Sequence, residues 1–455
     1  MRIDSAEEDP MRPIGIDLFA GAGGMSLGFE QAGFDVVAAV EIDPVHCAVH
    51  KYNFPHCAIL PKSVVDTTGE EIREQAKIGS RGVDVVFGGA PCQGFSLIGQ
   101  RVLDDPRNAL VKDFLRIVSE LDARHFVFEN VKGLTVGKHR QFLEEFIEEA
   151  ELLGYQVRLP WKVLNAADFG VPQNRERLIL FGSKSGRSLP GYPRASTQPA
   201  DRPSDLDPSL PIGPTAFDAL DDLPNAESFE ALKSTDEVET RSWNQPGSYA
   251  AEMRCLSNRS WHFGPAREWT PNLLTSSART EHTAISRRRF AETLPGTVEP
   301  ISRFYKLAPD GLSNTLRAGT DGARGAFTSP RPIHYAYNRC VTVREMARLH
   351  GFPDWFRFHE TKWHGARQIG NSVPPPMARA VAESVIHALG WCPEESFETV
   401  TLGDDRLLRM TVSQAANYFG VEAPGTRRDK KSGATKRKQE EIERQRILER
   451  AYENV

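Results

Sequence analysis

The stretch VVFGGAPCQGFS, residues 85–96, decides how this chain is read. With Val83 before them, Val85, Val86 and Phe87 make a short apolar run suited to a strand buried on both faces, and Gly88-Gly89 ends it abruptly. Cys92 follows between Pro91 and Gln93, just past the carboxyl end of that strand, where open α/β sheets place their ligands. Pro91 stiffens the turn and Gly94 releases the chain from it, so the thiol is held on a defined elbow. A free cysteine is most often a buried structural residue. Glycines and a proline crowded around this one point to a nucleophile.

Upstream, residues 14–19 (IGIDLF) read as a second buried strand. It runs into AGAGGMSLGFEQAGF, a glycine-rich turn followed by a helix with Leu27 and Phe29 inward. A strand end, glycines for close backbone approach and a helix N-terminus make a nucleotide-type cofactor site. A phosphate loop is a poor alternative, because no Gly-Lys-Ser/Thr follows. The next strand, residues 36–40, ends in Glu41-Ile42-Asp43, and an acid there is placed to accept ribose hydroxyls. A third strand near Ala58-Ile59 or Val64-Val65 is expected to end at Asp66.

Downstream of the cysteine, residues 96–110 are polar and turn-rich, the composition of a mobile lid. A helix over 113–121, a strand over 125–131 (HFVFENV), a helix over 140–153 and a strand over 157–164 follow. QNRERLILFG, residues 173–182, reads as a strand entered through two arginines. Alternating strands and helices predict an α/β fold with a doubly wound, mainly parallel sheet.

Composition bounds the alternatives. The 455 residues allow two or three domains, and 40% hydrophobic with 26% charged is ordinary for a soluble globular protein. No apolar run reaches the roughly 18 residues of a membrane span. Residues 1–13 lack an apolar signal core and read as a short disordered lead. Six cysteines without metal-ligand spacing predict a reducing, cytoplasmic setting and no metal site. A net charge of −5 gives no global sign of nucleic acid, so any basic footprint must be local.

DLFAGAGG (17–24), PCQGFS (91–96), ENV (129–131), QNRER (173–177) and QIGNSVPP (368–375) together resemble, in order, the signature blocks of the DNA (cytosine-5)-methyltransferase family. The resemblance covers residues 14–182 and 335–389, with Ala90 a mild departure before PCQ. The residues make chemical sense without the name. Carbon 5 of cytosine is a poor nucleophile, and a thiolate adding to carbon 6 turns the ring into an enamine that can attack a methyl sulfonium. Cys92 would supply that thiolate, with activation from the ordinary thiol pKa of about 8.5. Glu129, at the end of the neighbouring strand, is the family's candidate for a proton or hydrogen bond at ring N3. Arg175 and Arg177 alternate along one strand, so both could point into the site, toward the base carbonyl or a phosphate. Alternatively they form a surface ion-pair cluster, and Glu129 is a structural strand-end acid.

The cofactor implied by the resemblance is S-adenosylmethionine. Phe19 and the Gly21, Gly23, Gly24 turn would line it, Glu41 would hold the ribose beside Ile42, and Asp66 would meet the adenine amino group. Pro91 and Leu110 would pack nearby. Asn371, Ser372 and Val373 join them only if the C-terminal segment folds back beside the first strand. Between residues 183 and 335 Pro, Ser, Gly and Asp dominate, and in this family the variable insert here is a second, smaller, irregular target-recognition domain. Arg287, Arg288, Arg289, Arg317 and Arg324 lie in Ser/Thr/Gly-rich stretches suited to phosphate and major-groove contacts, unless the arginine triplet is only a solvated face. Gln93 and Ser96 in the cysteine loop are further candidates for DNA contact. Residues 336–398 would support the recognition domain and return to the catalytic one, Thr342 and Glu345 forming a capping box. In the charged extension, 399–455, MTVSQAANYFGV (410–421) reads as a small helix and the basic run after it as a linker to a charged helix. That tail could touch DNA phosphates or a partner, and a solvated or disordered extension is the favoured reading.

The expected activity is methylation of carbon 5 of a flipped cytosine in double-stranded DNA, by a monomer. The chain would be the modification enzyme of a restriction–modification system, with a cognate endonuclease encoded alongside. Methylation of tRNA cytosine is the nearest rival. A dinucleotide-dependent oxidoreductase leaves PCQ, ENV and QNRER unexplained, and an idle DNA-binding regulator leaves Cys92 and Glu129 without a role.

Overall fold

A computed structural model of the chain describes residues 12–91, 109–135, 139–202, 208–320 and 329–423. Eight strands form the main sheet: β1 (Ile14–Leu18), β2 (Asp35–Val40), β3 (Ala58–Leu60), β4 (Val85–Gly88), β5 (His125–Val131), β6 (Tyr155–Val157), β7 (Lys162–Asn165) and β8 (Glu176–Lys184). Their order is β3-β2-β1-β4-β5-β8-β6, with β7 also paired to β8. The first five strands are parallel, whereas β8 runs antiparallel to β5, β6 and β7. Both faces are covered, and side-chain alternation decides which residue goes where. Val85, Phe87, Val127, Ile179 and Phe181 enter one core, and Val86, Phe126, Phe128, Leu178 and Leu180 the other.

Helices α1 (Gly24–Gln31), α2 (Pro44–Asn53), α3 (Gly69–Gln75), α4 (Ala109–Glu120) and α5 (His139–Leu152) connect or flank these strands. Asp43 starts α2 by accepting from the Val45 and His46 amides, with Pro44 at the first helical position. Three sequence-based expectations shift. The third strand is Ala58–Leu60, and Val64–Asp66 is a 3₁₀ turn, because Pro61 ends the ladder and the Ser63 hydroxyl caps Val65. The expected strand over 157–164 is two, parted at Pro160, which has no amide to give. Strand β8 begins at Glu176, since the Gln173 amide turns back to Val171.

The insert carries α6 (Ala216–Leu220), β9 (Val238–Glu239), α7 (Ser248–Met253), β10 (Ala266–Glu268), β11 (Leu273–Leu274) and α8 (Ala284–Glu292). Most of its buried apolar residues do not form a separate core, although Phe290 and Ile333 make a small cluster of their own with Cys340. Ala216, Leu220, Tyr249, Met253 and Leu274 share one with Phe29, Phe87 and Met377. Helices α9 (Val343–Leu349), α10 (Lys362–Asn371) and α11 (Pro375–Leu389) then lead back, and α9 has the expected Thr342–Glu345 capping box.

Residues 399–423 are folded: the small helix expected over 410–421 is present, whereas the stretch before it packs on the catalytic domain instead of being solvated. Strand β12 (Thr399–Thr401) pairs with β10, and α12 (Val412–Phe419) follows. Between them Leu407 and Leu408 are buried against Ala48, Val49 and Tyr52 of α2 and Ala22 of the glycine turn. The apolar positions of this strap are too widely spaced to signal burial on their own. The basic run from 424 onward lies outside the described residues. Among the described residues no helix is long and apolar enough to cross a membrane.

Leu408→Ala should therefore cost about 2–5 kcal/mol in urea unfolding, as buried leucine truncations do. A loss below about 0.5 kcal/mol, the size of a surface substitution, would remove the strap from the folded unit.

Candidate active site

The strand order reverses between β1 and β4, and the connections leaving their carboxyl ends diverge to open a crevice. After β1 the backbone of Phe19 (φ 63°), Gly21 (φ 56°) and Gly23 (φ 101°) turns left-handed, a strained state for Phe19 that the surrounding fold must enforce. The Glu41 carboxylate reaches this turn, accepting from the Gly21 amide at 2.8 Å with one oxygen and from the Asp43 amide at 2.8 Å with the other. Beside it Ile42 is 63% exposed, an apolar surface facing outward at a polar rim. A Cβ on Gly21 would meet nothing within 4 Å, so the turn is open on its Cα side while its amide is held by Glu41. An open backbone cradle, a fixed carboxylate and an exposed apolar side chain fit a ribose and an adjoining flat base. Asp66, in the 3₁₀ turn, and Pro91 are exposed, and Leu110 is half-buried at the start of α4.

The C-terminal block reaches the turn as expected. A Cβ on Gly24 would lie 2.6 Å from the Val373 carbonyl oxygen and 2.9 Å from Ser372 Cβ. Ser372 and Val373 are buried in that contact, and Asn371 is exposed at the end of α10.

Beneath the turn lies a polar chain that the motif reading missed. Ser26 Oγ is 2.6 Å from Asp17 Oδ2 and 3.0 Å from His50 Nε2, tying β1, α1 and α2 together in a fully buried position. Burial pushes the Asp17 carboxyl up to about 8, with the Ser26 hydrogen bond pulling the other way, and presses His50 down to about 3. The available signal was an aspartate inside an otherwise apolar strand buried on both faces, which demands a partner.

The base site forms on the neighbouring strands. Glu129 and Arg177 occupy the same face of β5 and β8, diagonal across the pair two residues out of direct register, and Arg177 Nε lies 2.7 Å from Glu129 Oε1. The other oxygen of Glu129 lies over Gly89, where a Cβ would approach it to 2.3 Å. Asn130 Nδ2 donates to the Ala90 carbonyl at 3.0 Å and so fixes the backbone just before the cysteine. Burial raises the Glu129 carboxyl above its ordinary value, against the opposing pull of Arg177 and Arg175. Arg175 is not on that face. It precedes β8, is 1% exposed, and donates to the carbonyls of Leu316, Gly370 and Ser372 at 3.0, 2.8 and 2.8 Å. The alternation argument failed because the strand begins one residue after it.

The profile of C-5 cytosine-specific DNA methylases matches residues 14–387. The chain belongs to this family. It is 57% identical over 412 residues to the type II methyltransferase M.XorII of Xanthomonas oryzae pv. oryzae, covering 90% of this chain and 93% of the relative. It is 35% identical to M1.HphI of Haemophilus parahaemolyticus, covering 82% and 86%. A solved structure from an E. coli prophage, described as a DNA modification methyltransferase, aligns with a TM-score of 0.63 at 32% identity, over 83% of this chain and 99% of that one. The protein is thus a DNA (cytosine-5)-methyltransferase that uses S-adenosylmethionine.

On this methylase the candidate DNA-contacting residues separate into classes. Arg287 pairs with Glu227, and Arg289 lies 3.5 Å from Glu299, so both are engaged within the chain. Arg288 on α8 and Arg317 are exposed. Cys92, Gln93, Ser96 and Arg324 lie outside the described residues.

Two measurements follow. Glu41→Ala should weaken S-adenosylmethionine by roughly 1–3 kcal/mol in titration calorimetry, the scale of charge-assisted hydrogen bonds, and unchanged affinity would place the cofactor elsewhere. For Asp17 the raised carboxyl favours folding below its unfolded value of about 4, and that contribution is lost as pH rises through about 8. Between about pH 5 and 9 the Tm of Asp17→Asn should therefore gain on the wild type, and parallel curves would refute the shift.

Proposed function

We propose that this methylase is the modification enzyme of a type II restriction–modification system, acting on a cytosine flipped out of double-stranded DNA through a covalent bond to Cys92. The Glu129–Arg177 pair carries the mechanistic reading, since it lies on Gly89 at the crevice end of the sheet, three residues before Cys92. An intrahelical cytosine hides carbon 6 from a fixed thiol, so flipping follows from the chemistry.

The Cys92 thiolate adds to carbon 6, forming the carbon–sulfur bond as the ring's electrons move toward carbon 5 and N3. Glu129, its carboxyl raised by burial, donates at N3 and stabilises the charge that develops there. Arg177 orients that carboxyl and offers its remaining N–H groups to the base carbonyl. Glu41, the glycine turn, Ile42 and residues 371–373 hold the cofactor, with Phe19, Asp66, Pro91 and Leu110 around it. When bound, S-adenosylmethionine supplies a methyl group on a positively charged sulfur. After carbon 5 has gained the methyl group, its proton passes to a water, the N3 proton returns to Glu129, and the carbon–sulfur bond breaks so that Cys92 leaves as thiolate.

The names of the relatives support a modification role and do not favour tRNA. A partner endonuclease, action as a monomer and a cytoplasmic, nucleoid-associated location complete the reading. Residues 183–335 would read the target, with exposed Arg288 and Arg317 the first to scan. Residues 336–398 would support that unit, a reading favoured by Arg348, wholly buried, which bridges Asp222 of the insert and Asp354.

Bisulfite sequencing of DNA from cells expressing the protein should reveal one methylated motif, and Cys92→Ser should abolish it while duplex binding persists. Methylation by the serine variant at near wild-type rate would overturn the mechanism. Grafting residues 183–335 from a relative should transfer the relative's motif. An active chimera that kept the original motif would move recognition elsewhere.

A further inference from the structure

The segment around Arg175 is the most heavily shared polar node among the described residues, and the reaction scheme above does not use it. Gln173, also fully buried, accepts from the Leu316 amide at 3.1 Å through Oε1. Its Nε2 donates to the Leu349 carbonyl at 3.1 Å and to His350 Nδ1 at 2.9 Å. With Nδ1 accepting, the neutral His350 ring carries its proton on Nε2 and donates to the Ser372 carbonyl at 3.1 Å. Ser372 therefore receives from both His350 and Arg175, while Leu316 is held at its amide by Gln173 and at its carbonyl by Arg175.

These contacts join three functions. Leu316 immediately precedes exposed Arg317 in the recognition segment, and residues 316–318, an irregular stretch of backbone, lie so tightly on α10 that a Cβ on Gly370 would meet Ala318 N at 2.3 Å. Ser372 and Val373 lie against Gly24 of the cofactor turn. Arg177, two residues beyond Arg175, holds Glu129. A shift of either the 316–318 stretch or residues 370–372 alone would strand a buried guanidinium donor or a buried carbonyl with no water to replace the partner.

We propose that Arg175 is a positioning residue that couples DNA engagement to cofactor binding, by holding the Leu316 carbonyl of the recognition segment and the Gly370 and Ser372 carbonyls of the cofactor block on one buried guanidinium. It does not touch the base. Movement of the 316–318 stretch on DNA is thereby tied to the placement of residues 371–373. The inference rests on the proposed assignment of Arg317 to DNA and of residues 371–373 to the cofactor.

The test measures S-adenosylhomocysteine affinity of the full chain by calorimetry, with and without a duplex carrying the motif mapped by bisulfite sequencing. In the wild type the duplex should tighten binding about tenfold or more, an ordinary size for linkage between two sites. Arg175→Lys keeps the charge but cannot present a planar fork to three carbonyls, so the factor, taken as the ratio of the variant's own affinities with and without duplex, should fall within about twofold of unity. Arg177→Lys should keep the coupling although methyl transfer collapses, a split that a merely structural arginine would not produce. Coupling retained in Arg175→Lys, or absent from the wild type, would overturn the proposal. If Arg175→Lys does not fold by circular dichroism, Gly370→Ala is read in its place. Forcing a Cβ against Ala318 should abolish coupling equally, and retained coupling refutes the proposal as before. Glu41→Ala run alongside separates the two failures: unchanged affinity there faults the cofactor assignment, whereas its expected loss together with retained coupling faults Arg175 alone.

Discussion

Helices α1 and α11 pack with almost nothing between them, and the architecture depends on that closeness. A Cβ on Gly28 would lie 2.5 Å from Ala378 Cβ and 2.7 Å from the Arg379 backbone nitrogen. Two helices, one near each end of the sheet domain's sequence, are thus brought into backbone contact through a glycine and an alanine. The contact puts residues 372–373 on the cofactor turn, so the site is incomplete until the chain has returned. It also constrains the insert. Whatever lies between β8 and α9 must start and finish near the same edge of the sheet, which is why its core merges with the α1–α11 face instead of standing apart.

That merging needs a substitute for regular hydrogen bonding. The insert has only short helices and strands of two or three residues, leaving many carbonyls without ladder partners. Buried arginines supply the donors. Arg344 donates to the carbonyls of Thr275, Pro353 and Phe356, and Arg331 to that of Val341. Arg348 serves the Ala219 carbonyl along with the carboxylates of Asp222 and Asp354. Arg339 and Glu345 face each other in a buried bidentate pair at 2.8 Å. A guanidinium with five N–H groups in a fixed plane suits this task, but desolvation makes each one costly to leave half-paired. The insert is therefore irregular in backbone and rigidly determined in its charge pairing.

This division explains what could be read from the chain. Strands covered on both faces leave continuous apolar runs, so IGIDL, VVFG and HFVFENV were legible nearly to the residue, and the glycine turn with Glu41 followed from them. The capping box of α9 was legible because it is local. Arg175 was not, since its partners lie 141 to 197 residues away and its strand begins one position later than alternation implied. Nor was the Leu407–Leu408 strap, whose apolar pair has no periodicity around it. Arg287 and Arg289 looked like a basic face because Glu227 is distant in sequence from α8 and Glu299 lies outside the helix, in the irregular stretch after it. Interactions set by register were visible, and those set by the return of the chain were not.

Glu129 shows how the two kinds of information meet at one atom. Its position is local: the end of β5, opposite the Gly88-Gly89 turn. Its acidity is not, because burial raises the carboxyl while Arg177 at 2.7 Å and Arg175 farther off oppose the rise. Burial favours the protonated carboxyl and the two arginines favour the ionised one, so opposing causes meet at this group. The proposed donation at N3 and return of the proton would draw on that opposition. Arg175 is fixed by three carbonyls and adds its charge without competing for the carboxylate, which leaves Arg177 alone to set the orientation of Glu129. The same arrangement that closes the chain on itself thus also tunes its acid.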